Sequence, residues 1–304
     1  RSSGGEQLLD LGLRFPEAPG DLTHRLTDPQ HVLAGVVVHF PGVPDVVVPG
    51  QHVEFLAGHR RARFVHGPGE EIAIVLQADG KALVGGEFTT VNGAPHNGLV
   101  RFNLDGTLDP SFSPYPVGTW ESAYVYAVAL QPDGKILVAS WGRFYRLNPD
   151  GSLDPTFNFN GSITFSLHAI AVQTDGRILI AGEFNAVQGV ERNGLARLNA
   201  DGSLDATFNS DASAGVLAVM PLPDSKILVA GSFASFAGLT RSGIVRLNAD
   251  GSVDESFDSG SGADGPVHAV AVQPDGKVLL GGNFTRVNGV PHTRLARLQP
   301  DGQL

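Results

Sequence analysis

Residues 267–304 read VHAVAVQPDGKVLLGGNFTRVNGVPHTRLARLQPDGQL. Three apolar runs with strand-like alternation, VHAVAV, KVLL and TRLARL, are separated by turn residues. Pro274-Asp275-Gly276 and Pro300-Asp301-Gly302 mark two of the joints. Asp-Gly between alternating apolar runs is a strong hairpin signal, because glycine takes positive φ without a Cβ clash. The stretch therefore predicts a small antiparallel sheet.

The same sheet is written four more times upstream. The first turn recurs at 77–81, 131–135, 173–177 and 222–226, and its closing basic residue steps by 54, 42, 49 and 51 positions from Lys81 to Lys277. A second signature follows each turn, from Arg101 to Phe112, Arg146 to Phe157, Arg197 to Phe208 and Arg246 to Phe257. The fifth copy begins at Arg297. Each unit supplies four short strands: one on either side of the first turn, the L-A-R-L run, and Leu-Asp-x-x-Phe. A unit of that size cannot bury both faces alone and must stack on its neighbours. Four-stranded units of roughly 40–50 residues stacked radially are propeller blades. The expected fold is all-β: a β-propeller of four-stranded antiparallel blades, with five recognisable repeats over 71–304. Residues 31–67 carry no signature but hold four short β-like runs, and they read as a degenerate sixth blade or a small β segment (31–70). Residues 1–30 read as an N-terminal extension.

The pattern Q-P-D-G-K-I/V-L-V-x-G-x-F, then N-G, then L-x-R-L-N-x-D-G-S-L-D-x-S/T-F, resembles the delta-60 repeat of large bacterial proteins. The resemblance covers about residues 71–304. It implies a propeller-like module in long secreted or surface-associated chains, and it brings no catalytic motif. Unit 2 departs from the pattern: the excursion between its second and third strands is deleted. Unit 4 has Asp224-Ser225 in place of Asp-Gly.

Composition narrows the partners. With 39 Gly and 20 Pro among 42% hydrophobic residues, the chain is loop-rich yet able to build a core. Its net charge of −10 argues against a nucleic-acid surface, and no apolar run is long enough to span a membrane. Without cysteine there are no disulfides and no thiolate metal ligands. Lacking an initiator Met and stopping inside a motif, the chain reads as a processed form or a fragment of something longer, which leaves room for a removed secretion signal. The four lysines (81, 135, 226 and 277) read as solvent-exposed positions beside turns.

Candidate chemistry is sparse. The N-x-D-G-x-x-D element (Asn148, Asp150, Gly151, Asp154) resembles part of a calcium loop. Arg146 would occupy its first ligand position and repel the ion, so neither a metal nor a cofactor is expected. Arg101, Arg146, Arg197, Arg246 and Arg297, with Asp109, Asp154, Asp205 and Asp254, read as a repeated charge-assisted structural bond. Glu87 and Glu183 in Gly-Glu-Phe are replaced by Ser232 and Asn283, so no shared acid chemistry is required. Phe88, Phe184, Phe233 and Phe284 read as core.

Both tryptophans and all four tyrosines, Tyr115, Trp120, Tyr124, Tyr126, Trp141 and Tyr145, fall between residues 115 and 145. Such rings suit glycan or protein partners, or fill the space left by the deleted excursion. The resulting expectation is a non-enzymatic extracellular or cell-surface module for binding or structural assembly. A lectin-like propeller using the 115–145 rings and a glycan-active hydrolase or lyase are the alternatives. Partners are protein, through self-assembly or other surface proteins, or glycan. Leu8–Phe15 is β-compatible and contains a Leu-Asp step, so it is expected to pair with the last unit, within one chain or, as a homopolymer, in the next.

Overall fold

The computed structural model describes residues 36–38, 46–48, 52–57, 60–65, 72–115, 124–140, 143–160 and 166–304. Among the described residues every element is a strand. Unit 1 consists of Ile72–Leu76, Ala82–Gly86 and Leu99–Phe102; unit 2 of Val125–Leu130, Ile136–Ser140 and Arg143–Leu147. Unit 3 has Leu167–Val172, Ile178–Gly182 and Leu195–Leu198. Unit 4 has Val216–Pro221, Ile227–Gly231 and Ile244–Leu247, and unit 5 has Val267–Val272, Val278–Gly282 and Leu295–Leu298. Within each unit the inner strand pairs antiparallel with the second, and the second with the third.

The Asp-Gly signal gives the first hairpin of every unit. Gln131 N–H donates to Lys135 O at 2.9 Å, with Gly134 at φ 83°. Ser225 takes the glycine's place in unit 4 at φ 66°, a left-handed conformation that a Cβ makes costly. The excursion of units 1, 3, 4 and 5 is a two-residue hairpin whose central pair has positive φ at both positions, as in Gln188-Gly189 (52° and 79°). This is a type I′ turn, whose twist matches that of paired strands. Unit 2 lacks the excursion and joins its strands directly, with Ser140 opposite Arg143.

The fourth strand shrinks to one bridge: Leu198 pairs with Leu204, and units 1, 2 and 4 repeat this. The cause is the aspartate that follows. Asp205 Oδ1 accepts from Thr207 N at 2.9 Å and from Thr207 Oγ1 at 2.6 Å. That Asx-type turn bends the chain off the sheet edge before a ladder can grow.

Units pack in chain order, each inner strand against the next. The second strands of units 1–4 are buried along their whole length, since both faces meet a sheet. That explains why they read as unbroken apolar runs such as ILVAG. The seam between units 3 and 4 shows the pattern: Leu179, Ala181, Leu195 and Phe208 meet Val216, Ile227, Val229 and Phe233. Each such large side chain stabilises the seam by roughly 1.5–3 kcal/mol. Phe88, Phe184, Phe233 and Phe284 are all buried.

The two ends of the array differ. Ahead of unit 1, Val36–Val38, Val46–Val48, His52–Ala57 and Arg60–Val65 join the Thr90–Pro95 hairpin in a six-stranded sheet, through Phe64 opposite Val91. Phe88, Val91 and Phe102 on that side of unit 1 are buried. At the other end, unit 5 turns the exposed Ala269, Ala271 and Leu295 outward. Leu295 is 42% exposed, whereas its counterparts Leu99, Leu195 and Ile244 are 0%. Leu8–Phe15 lies outside the described residues.

Candidate functional site

The arginine and aspartate of the second signature form one construction repeated four times. Arg146 Nε donates to Asp154 Oδ2 at 2.7 Å, and its Nη1 reaches forward to Ala200 O of the next unit at 2.7 Å. The guanidinium lies over the Phe157 ring, 4.7 Å from its centroid. Arg101 bonds Asp109 (2.8 Å) and Pro149 O (2.5 Å), and Arg246 bonds Asp254 (2.6 Å) and Pro300 O (2.8 Å). Arg197 bonds Asp205 at 2.8 Å and also Ala249 O. Phe112, Phe208 and Phe257 underlie the other three guanidiniums. Arg297 is exposed.

Three of the four lysines depart from the solvent-exposed reading, while Lys277 pairs with the exposed Asp275 of its own turn. Lys81, Lys135 and Lys226 each donate Nζ to the same aspartate Oδ2, at 2.7 Å in every case. Burial alone raises the pKa of Asp109, Asp154 and Asp254. The lysine, the Ser or Thr two residues on and the arginine together outweigh it, and they hold all three carboxyls well below the ordinary aspartate range. The signal was legible: a basic residue stands 28, 19, 28 and 28 positions before each of the four aspartates. Arg177, the odd member, lies 3.9 Å from Asp205.

The N-x-D-G loops use their carboxylates internally. Asp150 Oδ1 accepts from Ser152 N (2.9 Å) and Ser152 Oγ (2.7 Å), while Asn148 Nδ2 donates to Ser152 Oγ at 2.9 Å. Among the described residues no group of three or more His, Asp or Glu is placed to hold a metal.

Of the aromatic residues, Trp120 and Trp141 lie outside the described residues. The tyrosines form two pairs. Tyr115 meets Tyr145 edge-on at 6.3 Å, against the core of units 1 and 2, and burial pushes the Tyr145 phenol above its ordinary range. Tyr124 stacks on Tyr126 at 6.4 Å, both half-buried. A β-bulge places Tyr126 between paired residues, and the same bulge places His168, Leu217 and His268 in units 3–5. Beside each bulge runs the residue after the second strand. Glu87 bridges to Tyr124, and Glu183 N donates to Ser166 O at 2.9 Å. Ser232 and Asn283 repeat the latter bond to Gly215 O and Pro266 O. Bulges re-aim side chains at sheet ends and at sites, and here one recurs at the same position of the inner strand in units 2–5.

Successive antiparallel sheets of one repeat, stacked in chain order, define a β-propeller. The chain belongs to the family described as the domain of unknown function (DUF5122) beta-propeller, which matches residues 77–112, 131–157, 173–208, 222–257 and 273–304, more than half the sequence. No curated protein matches the chain in sequence. The WD40 β-propeller domain of Doa1 superposes with TM-score 0.54 at 17% identity, over 88% of this chain and 83% of that one. A streptogramin B lyase does so with TM-score 0.53 at 13% identity, over 87% and 82%. The extracellular domain of BT4673 from B. thetaiotaomicron gives 0.51 at 11% identity; 82% of this chain aligns with 31% of that one. At these identities the likeness establishes the fold. It also corrects one expectation: a lyase shares this propeller, so missing catalytic motifs do not mark the chain as non-enzymatic. Function lives in sites grafted on folds, and folding can assemble such a site from residues far apart in sequence, with no contiguous motif to announce it.

Proposed function

We propose that the chain is an extracellular or cell-surface bacterial β-propeller of delta-60 type that serves as a binding and assembly module. In this reading two copies meet through the outward face of unit 5. The supporting observation is the exposure of Leu295, Ala269 and Ala271 at positions that are seam contacts in the preceding units. The opposite end, at Phe88 and Phe102, is already covered, which disfavours head-to-tail stacking. Two identical open faces then pair about a two-fold axis, as sheets packed about 10 Å apart. Sedimentation at micromolar concentration is expected to give a dimer, and Leu295→Asp a folded monomer. A monomeric parent, or a dimer indifferent to Leu295→Asp, rejects this assembly. A parent that dimerises only after deletion of residues 1–15 assigns the face to Leu8–Phe15 instead.

The stacked Tyr124–Tyr126 pair favours a second reading, glycan binding at the bulged end of unit 2. Stacked rings offer a flat apolar surface with hydroxyls at its margin. Glycan-array binding that survives Tyr124→Ala/Tyr126→Ala in a folded protein removes it.

A further inference from the structure

The connections between units differ in length. From the phenylalanine closing one unit to the first residue of the next inner strand there are 13 positions (Phe112 to Val125), 10 (Phe157 to Leu167), 8 (Phe208 to Val216) and 10 (Phe257 to Val267). The loop before unit 5 is tied to the hairpin of that unit and to the preceding unit. Gly262 N donates to Asn288 Oδ1 at 3.0 Å, Asn288 N returns to Gly262 O at 2.8 Å, and Ser259 Oγ reaches Ile244 O at 3.3 Å. The loop before unit 4 is two residues shorter; it keeps the hairpin bond, Ala237 N donating to Asp211 O at 2.6 Å, but Ser210 lacks the bond that Ser259 makes. This shorter loop leaves a cleft of about 340 Å3 between Asn209–Asp211 and the Val190–Asn193 hairpin arm.

Asn193 is also a wall of a second cleft, about 390 Å3, which holds Glu183 and Asn185. Both volumes lie within the roughly 300–1,000 Å3 of small-ligand sites. Gly215 makes room for the Glu183 side chain, since a Cβ there would come 2.7 Å from Glu183 Cγ. Under the floor of the first cleft, Ser210 is 2% exposed and its hydroxyl has no hydrogen-bond partner among the described residues. The neighbouring Arg192 Nε is likewise buried and unpartnered, while Arg192 Nη1 is held by Glu191 O at 2.8 Å. Buried polar atoms left this way cost stability unless something bonds to them.

The lining chooses among ligands. Arg192 in the same lining opposes a metal cation, and Glu191 and Asp211 oppose an anion, as does the net charge of −10. A neutral polyol meets neither objection. Its hydroxyls donate to carboxylates and accept from guanidinium and amide N–H groups, and the exposed Val190 offers an apolar surface for a C–H face.

We propose that the seam between units 3 and 4 is a binding site for a neutral saccharide, held by Glu191, Arg192, Asn193, Asn209 and Asp211. This rests on the binding-module reading but on neither the tyrosines nor the unit 5 face.

The test is a titration of ¹⁵N-labelled protein with galactose, N-acetylglucosamine, cellobiose and xylobiose, following the Arg192 Nε–H and the Asn193 and Asn209 side-chain amides. At least one sugar is expected to move these signals with saturation. Asp211→Ala and Asn209→Ala alter exposed positions, so melting should be unchanged while affinity falls at least tenfold. Four sugars without effect overturn the proposal. So does binding that survives Asp211→Ala and Asn209→Ala, or larger shifts with calcium or sulfate than with any sugar. Repeating the titration in Leu295→Asp and in Tyr124→Ala/Tyr126→Ala separates the proposals: this site keeps its response in both variants, while tyrosine-mediated binding loses it in the second.

Discussion

Replacing Asp154 with alanine is expected to lower the stability of the array by about 3–5 kcal/mol, the usual cost of leaving a buried charge without its partner. The substitution removes the acceptor of Lys135 Nζ, Arg146 Nε and Thr156 Oγ1 together. Arg146 stays buried, its side chain 7% exposed, so water cannot replace the lost carboxylate. In thermal melts this corresponds to a fall of roughly 10 °C. A drop of a degree or two would mean that the arginine escapes to solvent. The same carboxylates set the acid limit. Their folded pKa values are depressed, so their contribution is complete above the unfolded aspartate value of about 3.9 and disappears as pH falls from there toward the folded values. Melting temperature should therefore hold through neutral and mildly acidic solution and decline below about pH 4. The decline should be shallower in Asp154→Asn, which cannot titrate.

Phe208→Ala is expected to cost about 3–5 kcal/mol through the cavity it leaves. Phe208 is fully buried between units 3 and 4, and it also underlies the Arg197 guanidinium at 4.4 Å. Its ring lies 3.0 Å from where a Cβ on Gly251 would be, so that wall has no side chain to fill the void. Stability in a stacked array is a sum over neighbours, so hydrogen exchange should quicken in units 3 and 4 and stay unchanged in unit 1. Uniform acceleration throughout would show that the units do not open separately.

The sheets were legible because two local rules, Asp-Gly turns and alternating apolar runs, recur in phase. The fourth strand was not, since Leu-Asp-x-x-Phe has strand composition, and only the Asx-type turn at Asp205 stops the ladder. Arg146 and Asp154 were readable as partners from their constant spacing of eight; the lysine joins them at 28 positions in units 1 and 4 but at 19 in unit 2, where the deleted excursion shortens the count. The seam at 209–211 carried a signal only as a missing length, visible when Phe208 to Val216 is compared with its counterparts. The bulges at Tyr126 and His168 were not legible, because a single extra residue in an apolar run leaves the pattern intact.

Every arginine clamp points the same way along the chain. Arg101, Arg146, Arg197 and Arg246 all reach carbonyls that come later, at Pro149, Ala200, Ala249 and Pro300. During translation, at about 5–20 residues per second, each guanidinium waits ~3–10 s for its acceptor to be synthesised. A newly made unit holds its aspartate first and is locked only when its successor leaves the ribosome. Folding thus has a direction of growth, and the newest unit at every moment is the one least secured.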